Sequence, residues 1–373
     1  MATNIPVDQG GLTLIDDYWR KLQPFLEECG YMLRPRFRPG WTPSWEKPGA
    51  IRLHLLHEDG WPPTNWQVID TVRLKDGVDV AIKKVITQKH PNEVNIATFL
   101  TSLTNDPTNH CVPLLDVLYP PILPGTQLLI LPLLRTHSSP NFDTIGECVD
   151  FFRQIFEGIH FMHRNLVAHR DCCSTNIMMD GQRLYPYGCH PQFRERSEDL
   201  LKPAKHLTRT QAPPRYIIID FGISVQFQPE ESPRHAIPIK GGDDTVPEFE
   251  GSGADFPRDP FPTDVYFLGN LIRQEFLDDH AHGPLTFGAH FGREGFEFMR
   301  PLVSDMIRVN PEERPTMDEV VARFETIVAG LSTWKLRSRA RGKEEYTILS
   351  LPKIIRHWYR RVGFMLRGVP PIP

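Results

Sequence analysis

The chain of 373 residues has no long uninterrupted run of apolar residues. Its most apolar stretches, residues 128–134 and 216–219, have the length of single strands, whereas a membrane-crossing helix needs about 18 apolar residues or more. The first residues also lack the basic and then apolar pattern of a secretory signal peptide. We therefore expect an intracellular protein, cytoplasmic or nuclear, without a membrane span.

The six cysteines show no C-x-x-C pair and no zinc-like Cys/His spacing. This arrangement favours reduced thiols over a disulfide framework or a zinc module. Proline and glycine together make up about 17% of the chain, which is too little for a low-complexity or collagen-like protein. The composition therefore indicates a folded globular protein, long enough for one large bilobal domain or a few small ones.

The chain also has no large excess of charge of one sign. It contains 42 Lys and Arg and 46 Asp and Glu, which gives a net charge of −4. The charges are unevenly distributed, however. Residues 335–373 carry ten Lys or Arg and two Glu, a net +8, so the rest of the chain carries −12. An acidic body argues against a nucleic-acid partner.

Proline is missing from three long windows, residues 141–185, 263–283 and 316–351. Proline breaks helices, so these windows are where long helices are expected. Thr144 followed by Glu147, and Thr316 followed by Glu319, predict capping boxes at the start of two of them. Apolar residues at helical spacing follow each box, which predicts two amphipathic helices.

Strand patterns are concentrated earlier in the chain. Residues 66–74 and 78–85 read as a β-hairpin around a Gly-containing turn, followed by a helix over 92–104 and by strands within 112–118 and 127–134. We therefore predict a small β-rich lobe over residues 66–135 and a larger helical lobe over 136–330, preceded by an extension over 1–65.

Chemistry-bearing residues lie at the edges of these elements. Asp171 and Asn176 are five residues apart on a loop after the long helix, and Asp220 ends a strand. A carboxylate can orient a hydroxyl nucleophile, while Asn and Asp oxygens suit Mg²⁺. Lys83 lies on a strand and Glu93 on the helix after it, where the two could pair.

These motifs resemble the protein-kinase signature set: Val-Ala-Ile-Lys ending at Lys83, His-Arg-Asp-x4-Asn around Asp171, and Asp-Phe-Gly from Asp220. Later matches are Val-Pro-Glu ending at Glu248, D-x-x-x-x-G from Asp264, and an Arg-Pro pair. The resemblance spans about residues 66 to 330 and implies an α+β, bilobal protein-kinase-like fold. Residues 30–36, 208–213 and 220–224 resemble, more narrowly, kinase-like proteins of mushroom-forming fungi.

The resemblance implies a Mg²⁺-dependent transfer of the ATP γ-phosphate to Ser or Thr hydroxyls of a protein substrate. The implied roles are a base (Asp171), a phosphate-binding lysine held by a glutamate (Lys83, Glu93), metal ligands (Asn176, Asp220) and a hinge that contacts adenine (Leu131, Leu133, Leu134). Asp264 would brace the catalytic loop, and Glu248 would pair with Arg314. Arg170 would contact a phosphorylated segment, for which Ser224, Ser232 and Thr245 are positional candidates.

Two features depart from the kinase pattern. No G-x-G-x-x-G precedes Lys83, and the corresponding stretch, residues 62–70, contains no glycine. Cys173 stands where Ser/Thr kinases usually carry a lysine that neutralises phosphoryl charge. The sequence therefore leaves two alternatives open: a pseudokinase or nucleotide-binding scaffold with lost or weak catalysis, and a small-molecule kinase. Cys172 and Cys173 are expected to be small buried fillers.

Two further segments allow alternative interpretations. The insertion over residues 181–215 is rich in Arg and Lys; it is either a solvated surface loop or a docking flap that supplies a cation such as Lys205. In the tail, residues 331–373, apolar and basic residues alternate at helical spacing. This helix either docks on the acidic body through its Trp and Ile side chains, the interpretation we favour, or binds an anionic membrane surface or a partner protein.

Overall fold

The computed structural model describes residues 11–63, 65–190, 193–250, 255–278, 292–343 and 351–373. The chain divides into two compact units. The first contains residues 1–91, 113–134 and 185–206, and the second contains residues 92–112, 135–184 and 207–373. Within the described ranges, no helix is long and apolar enough to cross a membrane.

The first unit is built on a five-stranded antiparallel sheet in the order β1-β2-β3-β5-β4. Its strands are β1 (Tyr31–Leu33), β2 (Val68–Arg73), β3 (Val78–Ile86), β4 (Asp116–Leu118) and β5 (Thr126–Pro132). The predicted hairpin is confirmed as β2 and β3, paired from Val68 with Lys83 to Arg73 with Val78. Gly77 has a φ of +70°, a conformation that glycine adopts without steric cost, in the turn between these strands.

Helix α1 (Leu14–Glu28) packs on this sheet, and sequence patterns did not predict it. Thr13 caps its first turn in a capping box with Asp16, and Trp19, Leu22 and Leu26 have no exposed surface. Full burial of each such side chain contributes about 1.5–3 kcal/mol, which offsets the cost of Pro24 within the helix. The segment expected to be an extension thus contributes α1 and β1 to the sheet unit.

The second unit is mainly helical. Its helices are α2 (Glu93–Ser102), α3 (Ile145–Arg164), α4 (Phe261–Ile272), α5 (Arg300–Met306), α6 (Met317–Ala329), α7 (Thr333–Leu336) and α8 (Leu351–Leu366). The helix predicted over residues 92–104 and the two helices predicted after Thr144 and Thr316 are confirmed as α2, α3 and α6. Part of the proline-free window 263–283 and the two tail glutamates, Glu344 and Glu345, lie outside the described residues.

Of the two predicted capping boxes, only one is complete. Thr316 and Glu319 form both hydrogen bonds at the start of α6. Thr144 accepts from the Glu147 N–H, but the Glu147 carboxylate accepts instead from the N–H of Asp143 and from Thr210. That part of the prediction was wrong because burial of Glu147 places its side chain among donors from another segment.

Short strands complete the second unit. One ladder contains β6 (Arg135–Thr136), β8 (Ile177–Met179) and β9 (Tyr216–Ile218), and a second pairs β7 (Val167–Ala168) with β10 (Val225–Gln226). The 169–176 loop runs from β7 to β8, so both of its ends are fixed by strand pairing. The molecule is therefore a mixed α+β protein with one antiparallel five-stranded sheet and a separate, largely helical unit.

Candidate functional site

The loop between β7 and β8 brings two predicted site residues into contact. Nδ2 of Asn176 donates to Oδ2 of Asp171 at 2.8 Å and to the Asp171 carbonyl at 2.9 Å. Because the amide nitrogen faces Asp171, the Oδ1 atom of Asn176 is directed away from it. The loop therefore presents a carboxylate and an amide oxygen on different sides.

A buried carboxylate holds this loop in place. Asp264, on α4, is fully buried; it accepts from the backbone N–H of His169 at 2.8 Å and from that of Arg170 at 2.6 Å. Nε2 of His163 lies 3.0 Å from the same carboxylate. Burial alone would raise the pKa of Asp264, but the contact with His163 and the backbone donors hold it below its ordinary value. The expected bracing role of Asp264 matches these contacts.

Arg170 connects the loop to the segment that follows Asp220. Its φ of +71° lies in the left-handed region, which is strained for a residue other than glycine. Its guanidinium donates to the carbonyls of Ile223, at 3.2 Å, and Ile237. The hydroxyl of Ser224 is buried and donates to the His169 carbonyl, so Ser224 is not exposed for phosphorylation. The segment after Asp220 is thus held to the loop by hydrogen bonds that involve no phosphorylated residue.

Strand pairing places Asp220 next to Asn176. Ile177 pairs with Ile218, and the N–H of Ile219 donates to the Asn176 carbonyl at 2.9 Å. Asp220 has a φ of +68°, and its Oδ1 accepts from the Gly222 N–H at 3.1 Å. A left-handed aspartate at a strand end, adjacent to a buried asparagine, supplies hard oxygen ligands of the kind that Mg²⁺ uses.

The donor set of Asn176 and Asp220 therefore fits Mg²⁺, which is bound by few protein oxygens when phosphates supply the rest. Among the residues that the structure describes, no group of three or more His, Cys, Asp and Glu side chains forms a cage for a metal.

A glycine pair covers the Asp171 carboxylate. The N–H of Gly242 donates to Oδ1 of Asp171 at 2.7 Å. A Cβ atom added at Gly241 would lie 2.2 Å from the same oxygen, so only glycine permits this approach. Burial raises the pKa of Asp171 above its ordinary value, although the Gly242 N–H and other donors oppose that effect. Sequence reasoning missed these glycines; their adjacency shortly before the Val-Pro-Glu motif was the available signal.

The expected ion pair between Glu248 and Arg314 is present. Two guanidinium nitrogens of Arg314 lie 2.6 and 2.7 Å from the two carboxylate oxygens of Glu248, and both side chains are buried. Thr263 adds a hydrogen bond to the same carboxylate at 3.1 Å. The end of the segment that carries Gly242 is therefore fixed to the helical unit.

Other predicted site residues belong to the sheet unit. Lys83 lies within β3, half-buried, and pairs in register with Leu129. Leu131 is near the end of β5, and Leu133 and Leu134 follow it. The carbonyl of Leu134 accepts from Arg194 of the insertion. The Leu134 carbonyl is therefore already hydrogen-bonded within the sheet unit.

Glu93, the predicted partner of Lys83, is the first residue of α2 and is buried. It belongs to the helical unit, whereas Lys83 belongs to the sheet unit. The pairing of the two residues therefore stays a prediction.

The connection that precedes the β2–β3 hairpin differs from the one expected from the sequence. Strand β1 ends at Leu33 and β2 begins at Val68, so the connection between them spans residues 34–67 rather than the short stretch 62–70 that the sequence suggested. Arg34 ties this connection to the sheet through Asp70 at 2.9 Å. The ring of Trp61 contacts Phe193 of the insertion, with ring centroids 3.9 Å apart. The connection between β1 and β2 is therefore long, and it is held in place through Arg34 and Trp61.

The insertion is largely exposed over residues 193–206 but buried around Arg209, so the solvated-loop interpretation describes only part of it. Arg209 is almost fully buried and donates to the Tyr216 hydroxyl at 2.7 Å and to the His137 carbonyl at 2.6 Å. Lys205, the proposed replacement cation, is exposed and lies over the ring of Tyr187. The arginines of the insertion therefore serve packing as well as solvation.

The two adjacent cysteines differ in burial. Cys172 is buried, and its Sγ lies 3.6 Å from Oδ1 of Asp264, as expected for a small filler. Cys173 is half-buried, with Sγ 3.0 Å from Oγ1 of Thr175. Burial, reinforced by the negative charge of Asp171, raises the pKa of Cys173 to about 11. The Cys173 thiol is therefore protonated at neutral pH and supplies no charge to this loop.

Comparison of the chain with protein-family models and with curated proteins finds no match. The geometry of the loop and its supporting contacts therefore carries the functional argument.

Proposed function

We propose that the chain is a protein kinase that transfers the ATP γ-phosphate to Ser or Thr hydroxyls of a protein substrate. In this proposal the sheet unit is the small lobe and the helical unit the large lobe of a bilobal kinase fold. The observation that carries the proposal is the 169–176 loop, in which Asp171 and Asn176 are hydrogen-bonded to each other while Asp264 holds the backbone of the loop.

Asp171 would orient the substrate hydroxyl and accept its proton. Oδ1 of Asp171 accepts from the Gly242 N–H, and a carboxylate oxygen can accept two hydrogen bonds. Oδ2 already accepts from Asn176, which fixes the plane of the carboxylate. A fixed base aimed at the nucleophile contributes through orientation, since phosphoryl transfer asks little covalent chemistry of the protein.

Asn176 and Asp220 would hold Mg²⁺, which neutralises charge on the β- and γ-phosphates when bound. Lys83, with Glu93 as its partner, would contact the ATP phosphates, and the segment containing Leu131, Leu133 and Leu134 would contact adenine. The acceptor is expected to be a protein because the Glu248–Arg314 pair and the Arg170 tethers fix a long segment beside Asp171, as a peptide-binding surface requires.

A second candidate, a nucleotide-binding pseudokinase, is favoured by the contact between Gly242 and Asp171. Main chain packed on the base occupies space that a substrate hydroxyl needs, and Cys173 supplies no cation to stabilise the transferring phosphoryl group. In this alternative the chain binds ATP as a regulatory ligand, and transfer is slow or absent.

ATP binding tests the proposed site directly. Thermal unfolding of the full chain is measured with ATP alone and with ATP and Mg²⁺, for the wild type, Asp220→Asn and the exposed control Asp255→Asn. A ligand at 100 times its Kd stabilises by about 2.7 kcal/mol. We expect Mg²⁺-dependent stabilisation in the wild type and the control but not in Asp220→Asn. No stabilisation at millimolar nucleotide would refute the proposed function in both of its forms.

A further inference from the structure

Helix α8 docks on the helical unit through a polar face. The residues of α8 that are buried are His357, Arg361 and Phe364. Oδ1 of Asp143 lies 3.6 Å from Nδ1 of His357. Oδ2 of the same carboxylate lies 3.1 Å from a guanidinium nitrogen of Arg360. The guanidinium of Arg361 lies over the ring of Trp334, 3.6 Å from its centroid. The helix is therefore held mainly by cationic side chains.

The apolar face of α8 is exposed. At about 100° per residue, seven of its large apolar side chains fall in one arc of about 120°, whereas Phe364 lies on the buried face. These seven are 45–83% exposed: Leu351, Ile355, Trp358, Tyr359, Val362, Met365 and Leu366. The expected docking of α8 on the acidic body is present, but it depends on Asp143 and Trp334 rather than on burial of the Ile side chains: Ile355 is 69% exposed, and Trp358 is 45% exposed beside Trp334. This exposed set is called the α8 apolar arc below.

Basic side chains border the α8 apolar arc. Arg356 and Arg367 are exposed and lie on the side of the helix next to the arc. Residues 351–373 contain five Lys or Arg and no Asp or Glu. A partner that binds the α8 apolar arc must therefore offer an apolar environment to these side chains. It must also carry negative charge beside the arc, where the basic side chains lie.

An anionic lipid surface meets both requirements. A helix lying in the bilayer interface buries its apolar face among acyl chains and places Lys and Arg at the headgroups, with Trp and Tyr at the boundary. Trp358 and Tyr359 are neighbours within the arc, and Trp334 packs beside Trp358 with ring centroids 5.9 Å apart. A convex, single-helix apolar surface without acidic groups fits a bilayer better than an acidic protein groove.

We propose that α8 is a membrane-surface docking element whose exposed apolar arc inserts into the interface of an anionic lipid bilayer. Apolar insertion and electrostatic attraction are then two separate contributions to binding. Both are required, because a single weak signal gives only marginal membrane attachment.

The test is sedimentation of the full chain with large unilamellar vesicles of phosphatidylcholine, or of phosphatidylcholine mixed with phosphatidylserine. We expect binding to the anionic vesicles only, with weaker binding at higher salt. The triple variant Ile355→Ser/Val362→Ser/Leu366→Ser should lose about 100-fold in affinity. Arg356→Gln/Arg367→Gln should lose about 30-fold, since each charge contributes about tenfold or less near the surface.

Matched control variants distinguish vesicle binding through the α8 apolar arc from non-specific adsorption of the protein. Val309→Ser removes a 76% exposed side chain elsewhere in the same unit, and Arg153→Gln/Arg300→Gln removes two arginines that are 47% and 48% exposed. Both controls should bind anionic vesicles like the wild type. Brominated lipids quench the fluorescence of tryptophans that insert into the bilayer. This quenching should decrease in Trp358→Phe, although the variant still binds the vesicles. The decrease would report insertion of the Trp358 ring and would not depend on the stability of the protein.

Three outcomes would overturn the proposal: no binding to anionic vesicles, binding that the triple variant retains, or an equal loss of binding in the control variants. Concentration-dependent self-association that only the triple variant abolishes, without vesicle binding, would assign the arc to a second copy of this chain instead.

Discussion

The backbone N–H of Gly242 lies 2.7 Å from Oδ1 of Asp171, so the glycine main chain and the carboxylate are in direct contact. A Cβ atom at position 241 would clash with the same oxygen, so a side chain there requires Asp171 or the segment to move. The contact restricts the sequence of this segment and limits the space around the proposed base. It also leads to a prediction that can be tested without an activity assay.

Gly241→Ala should force the segment away from Asp171, because the new Cβ would lie 2.2 Å from Oδ1. Inserting a methyl group into a packed contact costs about 1–3 kcal/mol, which urea unfolding measures. Hydrogen exchange of the Gly242 amide should accelerate at the same time. Gly342→Ala is the matched control, since nothing lies within 4 Å of its Cβ position. Equal stability of the two variants would show that the contact is not present in solution.

Asp264→Asn should destabilise the protein by about 3 kcal/mol near neutral pH, because a buried carboxylate that accepts several hydrogen bonds loses its charge and one acceptor. The folded-state pKa of Asp264 is lowered, so its contribution is present above the unfolded-state pKa and is lost as pH falls through the folded value. The difference between wild type and variant should therefore shrink below about pH 4. Urea unfolding across pH measures it, with the exposed Asp255→Asn as control. A pH-independent difference would contradict this assignment.

Arg314→Met should cost about 3–5 kcal/mol, because it leaves the Glu248 carboxylate buried without its partner. The double variant Glu248→Gln/Arg314→Met should be less destabilised than the single variant, since no uncompensated charge remains. Chemical denaturation of the wild type, Glu248→Gln, Arg314→Met and the double variant provides the comparison. A double variant that loses as much as the sum of the two single changes would argue against a coupled pair.

Cys173 should resist thiol reagents at pH 8, where a thiol whose pKa is about 11 has little thiolate. Cys29 is exposed and should react with dithionitrobenzoate. Cys29→Ser should therefore remove one fast-reacting thiol, whereas Cys173→Ser should leave the fast-reacting count unchanged. Rapid labelling of Cys173 in the folded protein would contradict its burial.

Sequence patterns predicted the elements whose signals are local. The turn at Gly77 defines the β2–β3 hairpin, and Thr316 with Glu319 marks the start of α6. Helix α1 was missed because Pro24 argues against a helix, while burial of Trp19 and its neighbours against the sheet outweighs that penalty. Strand β1 has only three residues, too few for a periodic signal.

The candidate site was predictable to the extent that its residues belong to motifs. Asp171, Asn176 and Asp220 were identified from their spacing, and the structure joins them through strand pairing and two hydrogen bonds from Asn176 to Asp171. The contact of Gly242 with Asp171 joins residues 71 apart in sequence, and no local pattern encodes it. The orientation of α8 also escaped prediction, because periodicity shows that a helix is amphipathic but not which face points inward.

The most direct test of the proposed activity is phosphate transfer from radiolabelled ATP by the full chain in the presence of Mg²⁺, with casein, myelin basic protein and the chain itself as acceptors. The account predicts label on Ser or Thr that falls at least about 100-fold in Asp171→Asn and is unchanged in Asp255→Asn. Transfer that survives Asp171→Asn would contradict the assigned base, and ATP binding without transfer to any acceptor would contradict the kinase proposal in favour of the pseudokinase.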